Sequence, residues 1–284
     1  MKLGVTFPQT EIGSDPSVVR DFAQAAEDLG YDYLLAYDHV LGADPTRPGG
    51  WTGPYSVDTN FHEPFVLFGW LAGLTSRIEL TTGVIILPQR QTALVAKQVA
   101  ELDILSGGRI RLGIGTGWNA VEYESLNEDF HNRGIRQAEQ VEVMRLLWEN
   151  DVVDYTGRWH RIDRAGIKPR PTRRIPVWFG GSDERALRRM ARIGDGWMMN
   201  RQPDDAGSAN IARVRQWVKD EGRDPASFGI QGSIGYQAGP EKWPAQMQRW
   251  KDLQASHVGV ITMNAGLAGP RDHIEAIRKF KEGV

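Results

Sequence analysis

PVWFGGSDERALRRMARIGDGWMMN, at residues 176–200, decides the fold of this chain. The stretch begins with a short apolar run, turns at Gly180 and Gly181, continues in a helical pattern and ends in a second apolar run. Ser182 or Asp183 can cap the helix at its beginning. A strand, a glycine turn, a capped helix and another strand form a βα unit, the building block of α/β folds.

The glycine turn of this unit is also suited to binding an anion. Glycine leaves backbone N–H groups uncovered, and the positive end of the helix dipole points at the same turn. A phosphate monoester could therefore dock there without a cationic side chain. The same pattern also occurs as an ordinary connection between a strand and a helix, so the rest of the chain has to decide between the two interpretations.

Composition and charge favour small-molecule chemistry. The chain has 284 residues with 40% hydrophobic content, which suits one barrel-sized domain over residues 1–284. Its 34 basic and 36 acidic residues give a formal charge of −2, so electrostatics favour neither nucleic acid nor a membrane as partner. Cysteine is absent, which excludes disulfides and thiolate catalysis. A strand-like start without a signal peptide predicts a cytoplasmic protein.

Strand-like runs alternate with helical patterns along the whole chain. Strands are predicted at residues 2–7, 33–37, 78–87, 110–115, 176–179, 196–200, 228–232 and 258–263. Helices are predicted at residues 16–29, 64–75, 92–105, 133–148, 206–221, 244–253 and 271–281, with one more after the glycine turn and a hairpin at 152–162. About eight such pairs predict an α/β fold, the (β/α)8 TIM barrel, with its active site at the C-terminal ends of the strands.

The alternative fold is a doubly wound open sheet. Such a sheet normally carries a GxGxxG turn after its first strand. Here that turn is FPQT, at residues 7–10, which favours the barrel. The GxSxG, GxxxxGK[ST] and HExxH motifs are also absent, which argues against several hydrolase and nucleotide-hydrolysing classes.

The predicted second strand ends in Asp38 and His39. Histidine exchanges protons near neutral pH, and an adjacent buried carboxylate can fix its tautomer or raise its pKa. The alternative is a histidine that only caps a loop through hydrogen bonds. In the third strand, Thr82, Gly83 and Val84 place glycine inside a β-branched run, which indicates either a bulge that approaches a ligand or a tight packing position.

Aromatic side chains accompany bare backbone at the predicted mouth. The fourth strand ends in Gly115, Thr116, Gly117 and Trp118, where a flat ring could lie, although such turns are also common without a ligand. The segment 41–62 is rich in glycine, proline and aromatic residues and is a candidate lid. Its candidates for an apolar substrate wall are Trp51, Tyr55 and Phe61, and the safer interpretation is that they pack the loop on itself.

These strand ends suit a barrel that holds a phosphate-bearing cofactor and lets it perform the reaction. The six histidines lack the HxxxH and HxH spacings that are typical of ligand sets, so we expect no metal site.

Taken together, the motifs resemble the bacterial luciferase-like flavin and deazaflavin oxidoreductases, and in particular the members that use coenzyme F420. The resemblance covers almost the whole chain. It rests on the DH pair at 38–39, TTGVIILPQR at 81–90, LDILSGGRIRLGIGTGW at 102–118, PVWFGG at 176–181 and GDGW at 194–197. It implies a (β/α)8 barrel that binds F420 or FMN at the C-terminal mouth.

The resemblance also implies roles for individual residues. His39 would face the reactive edge of the cofactor as proton donor or acceptor, and Asp38 would orient or support it. A bulge at Gly83 and Val84, often a non-prolyl cis peptide in this family, would back the middle ring. The residues that would hold the cofactor phosphate are Gly180, Gly181, Ser182, Asn200 and Arg201.

One departure concerns the substrate. A sugar-phosphate dehydrogenase branch of the family has Glu where this chain has Trp118, so an apolar or aromatic substrate beside Trp118, Trp51 and Tyr55 is expected instead. The leading hypothesis is an F420-dependent oxidoreductase that moves a hydride. The alternatives are an FMN-dependent monooxygenase, supplied with reduced flavin by a partner reductase, and a non-catalytic cofactor-binding protein. A homodimer is expected from the resemblance alone.

Overall fold

A computed structural model of the chain describes residues 1–199 and 203–284. Its strands are β1 (Lys2–Thr6), β2 (Tyr33–Ala36), β3 (Glu79–Thr82), β4 (Ile85–Ile86), β5 (Ile110–Gly115), β6 (Val153–Thr156), β7 (Arg161–Ala165), β8 (Val177–Gly180), β9 (Gly196–Met198), β10 (Gly229–Gly235) and β11 (His257–Ile261). Its helices are α1 (Pro16–Asp28), α2 (Pro64–Ala72), α3 (Thr92–Leu105), α4 (Ala120–Ser125), α5 (Arg133–Glu149), α6 (Glu184–Ile193), α7 (Asp205–Asp220), α8 (Trp243–Asp252) and α9 (Pro270–Glu282).

The parallel strands close into a barrel with helices around it. Their hydrogen-bonded order is β3-β2-β1-β11-β10-β9-β8-β5, and β3 also pairs with β5, which closes the sheet. Strand β4 follows β3 in the chain, extends the same strand of the barrel and pairs with β5. The predicted TIM barrel is confirmed, and the open doubly wound sheet is wrong because an open sheet would leave two edge strands unpaired. Strands β6 and β7 form the predicted hairpin as a separate antiparallel sheet.

Burial explains why the barrel strands can be recognised in the sequence. Every residue of β2 and of β5 is buried. Strands buried on both faces appear in a sequence as nearly continuous apolar runs. Helices begin where the sequence supplies a cap: the Asp15 carboxylate accepts a hydrogen bond from the Ser17 N–H, and Pro16 is the first residue of α1.

Two predicted elements differ from the structure, and one helix of the structure is not predicted. The helix predicted at 64–75 ends at Ala72, and Thr75 instead donates its hydroxyl hydrogen bond to the Leu71 carbonyl at 2.7 Å. The strand predicted at 78–87 is interrupted by a cis peptide bond between Gly83 and Val84. Helix α4 is not predicted, because six residues are too few for a helical period to be recognised.

The parallel strands place their C-terminal ends at one mouth of the barrel. The segments after β2, β3, β5 and β8, which contain the predicted site residues, therefore meet at that mouth. The predicted lid at 41–62 contains no helix or strand but has a single parallel bridge between Ala43 and Ser56. In the part of the chain that the structure describes, no helix is long and apolar enough to cross a membrane.

Candidate active site

His39 lies at the barrel mouth, three residues after the end of β2. Its Nδ1 is 3.3 Å from Oε1 of Glu122, a residue of α4. The His39 side chain is 11% exposed and the Glu122 side chain is 1% exposed. The contact therefore joins the imidazole of His39 to a buried carboxylate.

Glu122 also binds the backbone where the predicted lid begins. Its Oε1 accepts hydrogen bonds from the N–H of Val40 at 2.8 Å and from the N–H of Leu41 at 3.4 Å. Burial raises the pKa of Glu122, but the hydrogen bond and charge of His39 and the two backbone donors outweigh burial, so the pKa lies below its ordinary value. Glu122 is consequently ionised at neutral pH.

Asp38 has different hydrogen-bond partners from His39, so the support that it is expected to give His39 is indirect and stays a prediction. Its carboxylate accepts hydrogen bonds from Arg90 Nη2 at 2.7 Å and from the N–H of Ile86 at 2.9 Å. Arg90 also donates to Glu63 Oε1 at 2.8 Å. Asp38 and His39 both follow the end of β2, but Asp38 pairs with Arg90 whereas His39 pairs with Glu122. Burial raises the pKa of Asp38, and the charge of Arg90 opposes that shift.

Aromatic rings surround the imidazole of His39. Its ring centroid is 4.8 Å from that of Tyr55, 4.7 Å from that of Phe61 and 5.6 Å from that of Trp118. Trp51 stacks on Trp118, with the centroids 5.8 Å apart and the planes at 29°. We call Trp51, Tyr55, Phe61 and Trp118 the aromatic wall. The structure brings the predicted substrate-binding residues together, and their contact with a substrate stays a prediction.

Two members of the aromatic wall, Tyr55 and Phe61, border a small cavity. Its volume is about 270 Å³, and its lining includes His39, Leu41, Tyr55, Phe61 and Asn119. The indole N–H of Trp51 donates to the Tyr55 carbonyl at 2.6 Å, which ties the segment 41–62 to itself beside the cavity. Trp118 is 44% exposed, so an apolar surface next to His39 is open to an incoming ring.

The predicted bulge lies between β3 and β4, at the cis Gly83–Val84 peptide bond. The side chain of Val84 contacts two glycines on neighbouring strands. A Cβ on Gly115 would lie 2.4 Å from Val84 Cγ2, and a Cβ on Gly180 would lie 3.1 Å from Val84 Cγ1. Glycine at the ends of β5 and β8 therefore leaves the space that the bulge occupies.

Thr82 and Gly117, two further predicted cofactor residues, shape the same mouth. The Thr82 hydroxyl donates to the Gly113 carbonyl at 2.7 Å and accepts from the Gly113 N–H at 2.9 Å. Gly117 has φ +64°, and a Cβ there would lie 2.7 Å from Ile86 Cγ2. Both residues thus have structural contacts, and direct contact with a cofactor stays a prediction.

The predicted phosphate-binding turn connects β8 to α6. Gly181 has φ +121°, which favours glycine, and its carbonyl accepts a hydrogen bond from Trp197 Nε1 at 2.8 Å. Of the two predicted caps, Asp183 is the one that caps α6, because its carboxylate accepts from the Ala186 N–H at 3.0 Å. The Asp183 carboxylate already accepts a hydrogen bond at the N-terminus of α6. An anion would therefore have to bind the backbone at Gly181 and Ser182.

Ser182 is exposed beside this turn. The two other residues expected to hold the phosphate, Asn200 and Arg201, lie outside the described residues.

The mouth fits a flat heterocyclic cofactor with a phosphate group. Glycine backbone lines the ends of β5 and β8, and Gln9 contributes a buried acceptor after β1. The amide of Gln9 donates to the Tyr37 carbonyl at 2.9 Å, while its Oε1 is buried and has no hydrogen-bond partner among the described residues. A ring that carries an N–H group would satisfy such an acceptor. Among residues 1–199 and 203–284, no group of three or more metal-ligating side chains could hold a metal ion.

A barrel whose mouth combines a histidine–carboxylate pair, an aromatic wall and a glycine turn between β8 and α6 is typical of cofactor-dependent oxidoreductases. The family model described as luciferase-like monooxygenase matches residues 1–277. The chain belongs to this family, which confirms the resemblance stated above.

Relatives with named activities include both cofactor types. The F420-dependent glucose-6-phosphate dehydrogenase of Nakamurella multipartita is 31% identical over 219 residues, covering 73% of this chain and 60% of that protein. The FMNH2-dependent dimethylsulfone monooxygenase of Pseudomonas fluorescens is 28% identical over 199 residues, covering 69% of this chain and 51% of that protein. This chain therefore spans only part of the length of both relatives.

The fold likeness extends over the whole chain. The coenzyme F420 dependent tetrahydromethanopterin reductase from Methanopyrus kandleri superposes with a TM-score of 0.79 at 16% identity, covering 100% of this chain and 98% of that one. Because the family and its relatives with named activities are oxidoreductases, this chain is an oxidoreductase of the luciferase-like family.

Glu122, which contacts the predicted catalytic residue His39, is not indicated by the sequence patterns. Asn119 caps α4 by accepting hydrogen bonds from the N–H groups of Val121 at 3.0 Å and Glu122 at 3.4 Å. The spacing of an N-cap residue and Glu three positions later is a recognisable helix-start signal. It could have indicated α4, although it does not indicate that the carboxylate contacts His39.

Proposed function

We propose that this protein is an F420-dependent oxidoreductase that transfers a hydride between the deazaflavin and a small organic substrate of apolar or aromatic character. The observation that carries the proposal is the hydrogen-bonded pair of His39 and Glu122 beside the aromatic wall. The deazaflavin, when bound, supplies the hydride carrier. A hydride moved to or from a carbon–oxygen bond is accompanied by a proton, and His39 gives or takes that proton.

The remaining residues position these groups. Asp38 and Arg90 connect the end of β2 to Glu63 at the beginning of α2, so they fix the strand end that carries His39. The surface behind the cofactor ring is formed by Thr82, Gly83, Val84, Gly115 and Gly117. The cofactor phosphate is bound by Gly180, Gly181, Ser182, Asn200 and Arg201.

The aromatic wall supports an apolar or aromatic substrate. Trp118, Tyr55 and Phe61 cover His39 with rings that bear no charge. A polar phosphate placed against them would lose its hydration without gaining a cationic partner from the wall. Aromatic rings instead stack on a flat substrate at little entropic cost.

Titration of the purified protein with F420 and, separately, with FMN tests the cofactor assignment. The fluorescence of each cofactor is followed as protein is added. We expect saturable binding of F420 and much weaker binding of FMN. Selective FMN binding would replace the proposal with an FMN-dependent monooxygenase that receives reduced flavin from a partner reductase. If the protein bound neither cofactor, the proposed phosphate-binding turn between β8 and α6 would be refuted.

Replacement of His39 distinguishes an enzyme from a protein that only stores or delivers the cofactor. We expect His39→Ala to lower turnover of a confirmed substrate by about 10²- to 10⁴-fold, the usual contribution of a general acid or base. Affinity for F420 should change only modestly. The exposed His131 provides the control His131→Ala, which should turn over normally. Unchanged turnover in His39→Ala would remove the assigned role.

We also propose that the protein forms a homodimer, as the resemblance implies. Light scattering of the purified chain at micromolar concentration tests this. A mass near twice 31.8 kDa is expected, and the mass of a single chain would contradict it.

A further inference from the structure

We propose that Glu122 is a positioning residue that holds His39 in the tautomer with its proton on Nδ1, so that Nε2 is the atom that exchanges the substrate proton. The inference deepens the proposed function and rests on it for the role of Nε2. The arrangement of the imidazole itself does not depend on which cofactor binds.

The chemistry of the contact determines the tautomer. Glu122 Oε1 lies 3.3 Å from His39 Nδ1. An ionised carboxylate accepts hydrogen bonds and cannot donate one, so Nδ1 must carry the proton for the bond to form. The neutral imidazole then has its lone pair on Nε2, and a proton that arrives on Nε2 produces an imidazolium that the buried carboxylate stabilises.

Further hydrogen bonds fix the carboxylate itself. Oε1 of Glu122 accepts from the N–H groups of Val40 and Leu41, which follow His39 directly in the chain. On the other side, Gln89 Nε2 donates to Oε2 at 3.5 Å. Glu122 thus holds both the imidazole and the backbone that follows it, and the ring cannot turn without breaking the shared contact.

The other groups that face His39 do not compete with Glu122. Phe61 and Trp118 carry no ionisable group, and Tyr55 is neutral at physiological pH because burial raises its pKa. Asp38, the preceding residue, is paired with Arg90. Among described residues in hydrogen-bond or ring contact with His39, Glu122 is therefore the charged one.

Nitrogen NMR of the full chain labelled at histidine tests the proposal without cofactor or substrate. Long-range proton–nitrogen correlations at pH 9, well above the ordinary titration range of histidine, distinguish a protonated from an unprotonated ring nitrogen. The His39 signals are assigned by their loss in His39→Asn. We expect a protonated Nδ1 and an unprotonated Nε2. The reverse pattern in the wild-type protein would overturn the proposal.

Glu122→Gln tests whether the carboxylate causes this state. A neutral amide oxygen is a weaker acceptor, and the amide nitrogen can donate to Nδ1, so the ratio of the Nδ1–H to the Nε2–H tautomer should fall by about fivefold to tenfold. The control is Glu124→Gln on the same helix, where the side chain is exposed and the tautomer ratio should not change. An unchanged ratio in Glu122→Gln would overturn the proposal.

The tests of the His39 tautomer can fail or succeed independently of the tests of the proposed function. If Glu122→Gln does not fold, the wild-type spectrum still decides the tautomer. With a confirmed substrate, Glu122→Gln should lower kcat by about 10- to 100-fold with little change in KM or F420 affinity. A protein that binds FMN instead of F420 would refute the proposed cofactor while the tautomer result still stands.

Discussion

Gly115 lies at the end of β5, where a Cβ would come within 2.4 Å of Val84 Cγ2. We expect Gly115→Ala to push Val84 out of its position and to destabilise the protein by about 1–3 kcal/mol, the usual cost of overpacking. Affinity for the bound cofactor should fall as well, because Val84 belongs to the bulge at the mouth. Urea denaturation measures the first effect and cofactor fluorescence measures the second.

Gly69→Ala is the matched control for this substitution. Gly69 lies within α2, and a Cβ there would meet Leu102 Cδ2 at an ordinary contact distance of 3.7 Å. Alanine in a helix interior stabilises it by about 0.5–1 kcal/mol relative to glycine. The two glycines should therefore respond with opposite signs. A Gly115→Ala protein as stable as the wild type would show that the bulge adjusts freely.

At the scale of single residues, the sequence is a good guide to the candidate site residues and a poor guide to the contacts between them. His39 was a candidate because a histidine that follows a buried strand can act as an acid or base at the barrel mouth. Its partner was assigned to the adjacent Asp38, whereas the structure supplies Glu122, 83 positions away in the chain. A contact of this kind depends on how the segment after β2 meets the short helix α4 above the barrel, and neither is long or regular enough for a sequence pattern to reveal it.

Glu27, near the end of α1, binds the segment that precedes β3. Its carboxylate accepts hydrogen bonds from the backbone N–H of Ser76 at 3.0 Å, of Arg77 at 2.6 Å and of Ile78 at 2.8 Å. Glu27→Gln replaces this acceptor with a neutral amide. We expect it to lower the free energy of unfolding by about 1–3 kcal/mol at pH 7. Urea denaturation measures the difference.

The pH dependence of this effect follows from the pKa of Glu27. Burial raises this pKa, but the three backbone donors and the Ser76 hydroxyl outweigh burial, so it lies below 4.5 in the folded protein. The stabilisation is therefore present above the unfolded-state pKa and is lost as the pH falls through the lower folded-state value. The difference between wild type and Glu27→Gln should shrink below about pH 4. Asp28→Asn, at an exposed neighbour, should show no such difference, and a gap that widens in acid would contradict the assignment.

At the scale of elements, the strands that are buried on both faces were predictable, and their interruptions were not. The run at 78–87 is rich in apolar and β-branched residues on both sides of Gly83, so periodicity gives no sign that β3 ends at Thr82 and β4 begins at Ile85. Glycine at position 83 indicated a bulge, which the structure contains. The helix predicted at 64–75 was too long for a related reason, because its apolar pattern continues past Gly73 although α2 does not.

At the scale of the whole molecule, the number of βα units and the absence of a GxGxxG turn were enough to favour a barrel. Closure itself requires a pairing between β3 and β5 that no local pattern shows. A buried arginine inside the barrel also connects strands that take part in this closure. Arg111 on β5 donates to Glu79 on β3 at 2.6 Å and to Gln231 on β10 at 2.8 Å, and it is 2% exposed.

Arg111 also lies over two aromatic rings inside the barrel. Its guanidinium carbon is 5.0 Å from the ring centroid of Tyr33 on β2 and 4.4 Å from that of Trp178 on β8. A single side chain thus connects strands on different sides of the barrel. Loss of the guanidinium would leave the Glu79 carboxylate with only the more exposed Lys2, at 3.2 Å, as an ion-pair partner among the described residues.

We therefore expect Arg111→Met to destabilise the whole barrel by about 3 kcal/mol, because breaking the buried ion pair leaves the Glu79 carboxylate with only an exposed lysine to compensate its charge. The unfolding transition should remain a single step at a lower urea concentration, since the side chain connects several strands at once. Arg161→Met removes an exposed pair with Asp163 in the hairpin and should change stability by less than about 0.5 kcal/mol. If the two variants unfolded at the same midpoint, the buried arginine would contribute no more to closure of the barrel than a surface charge does.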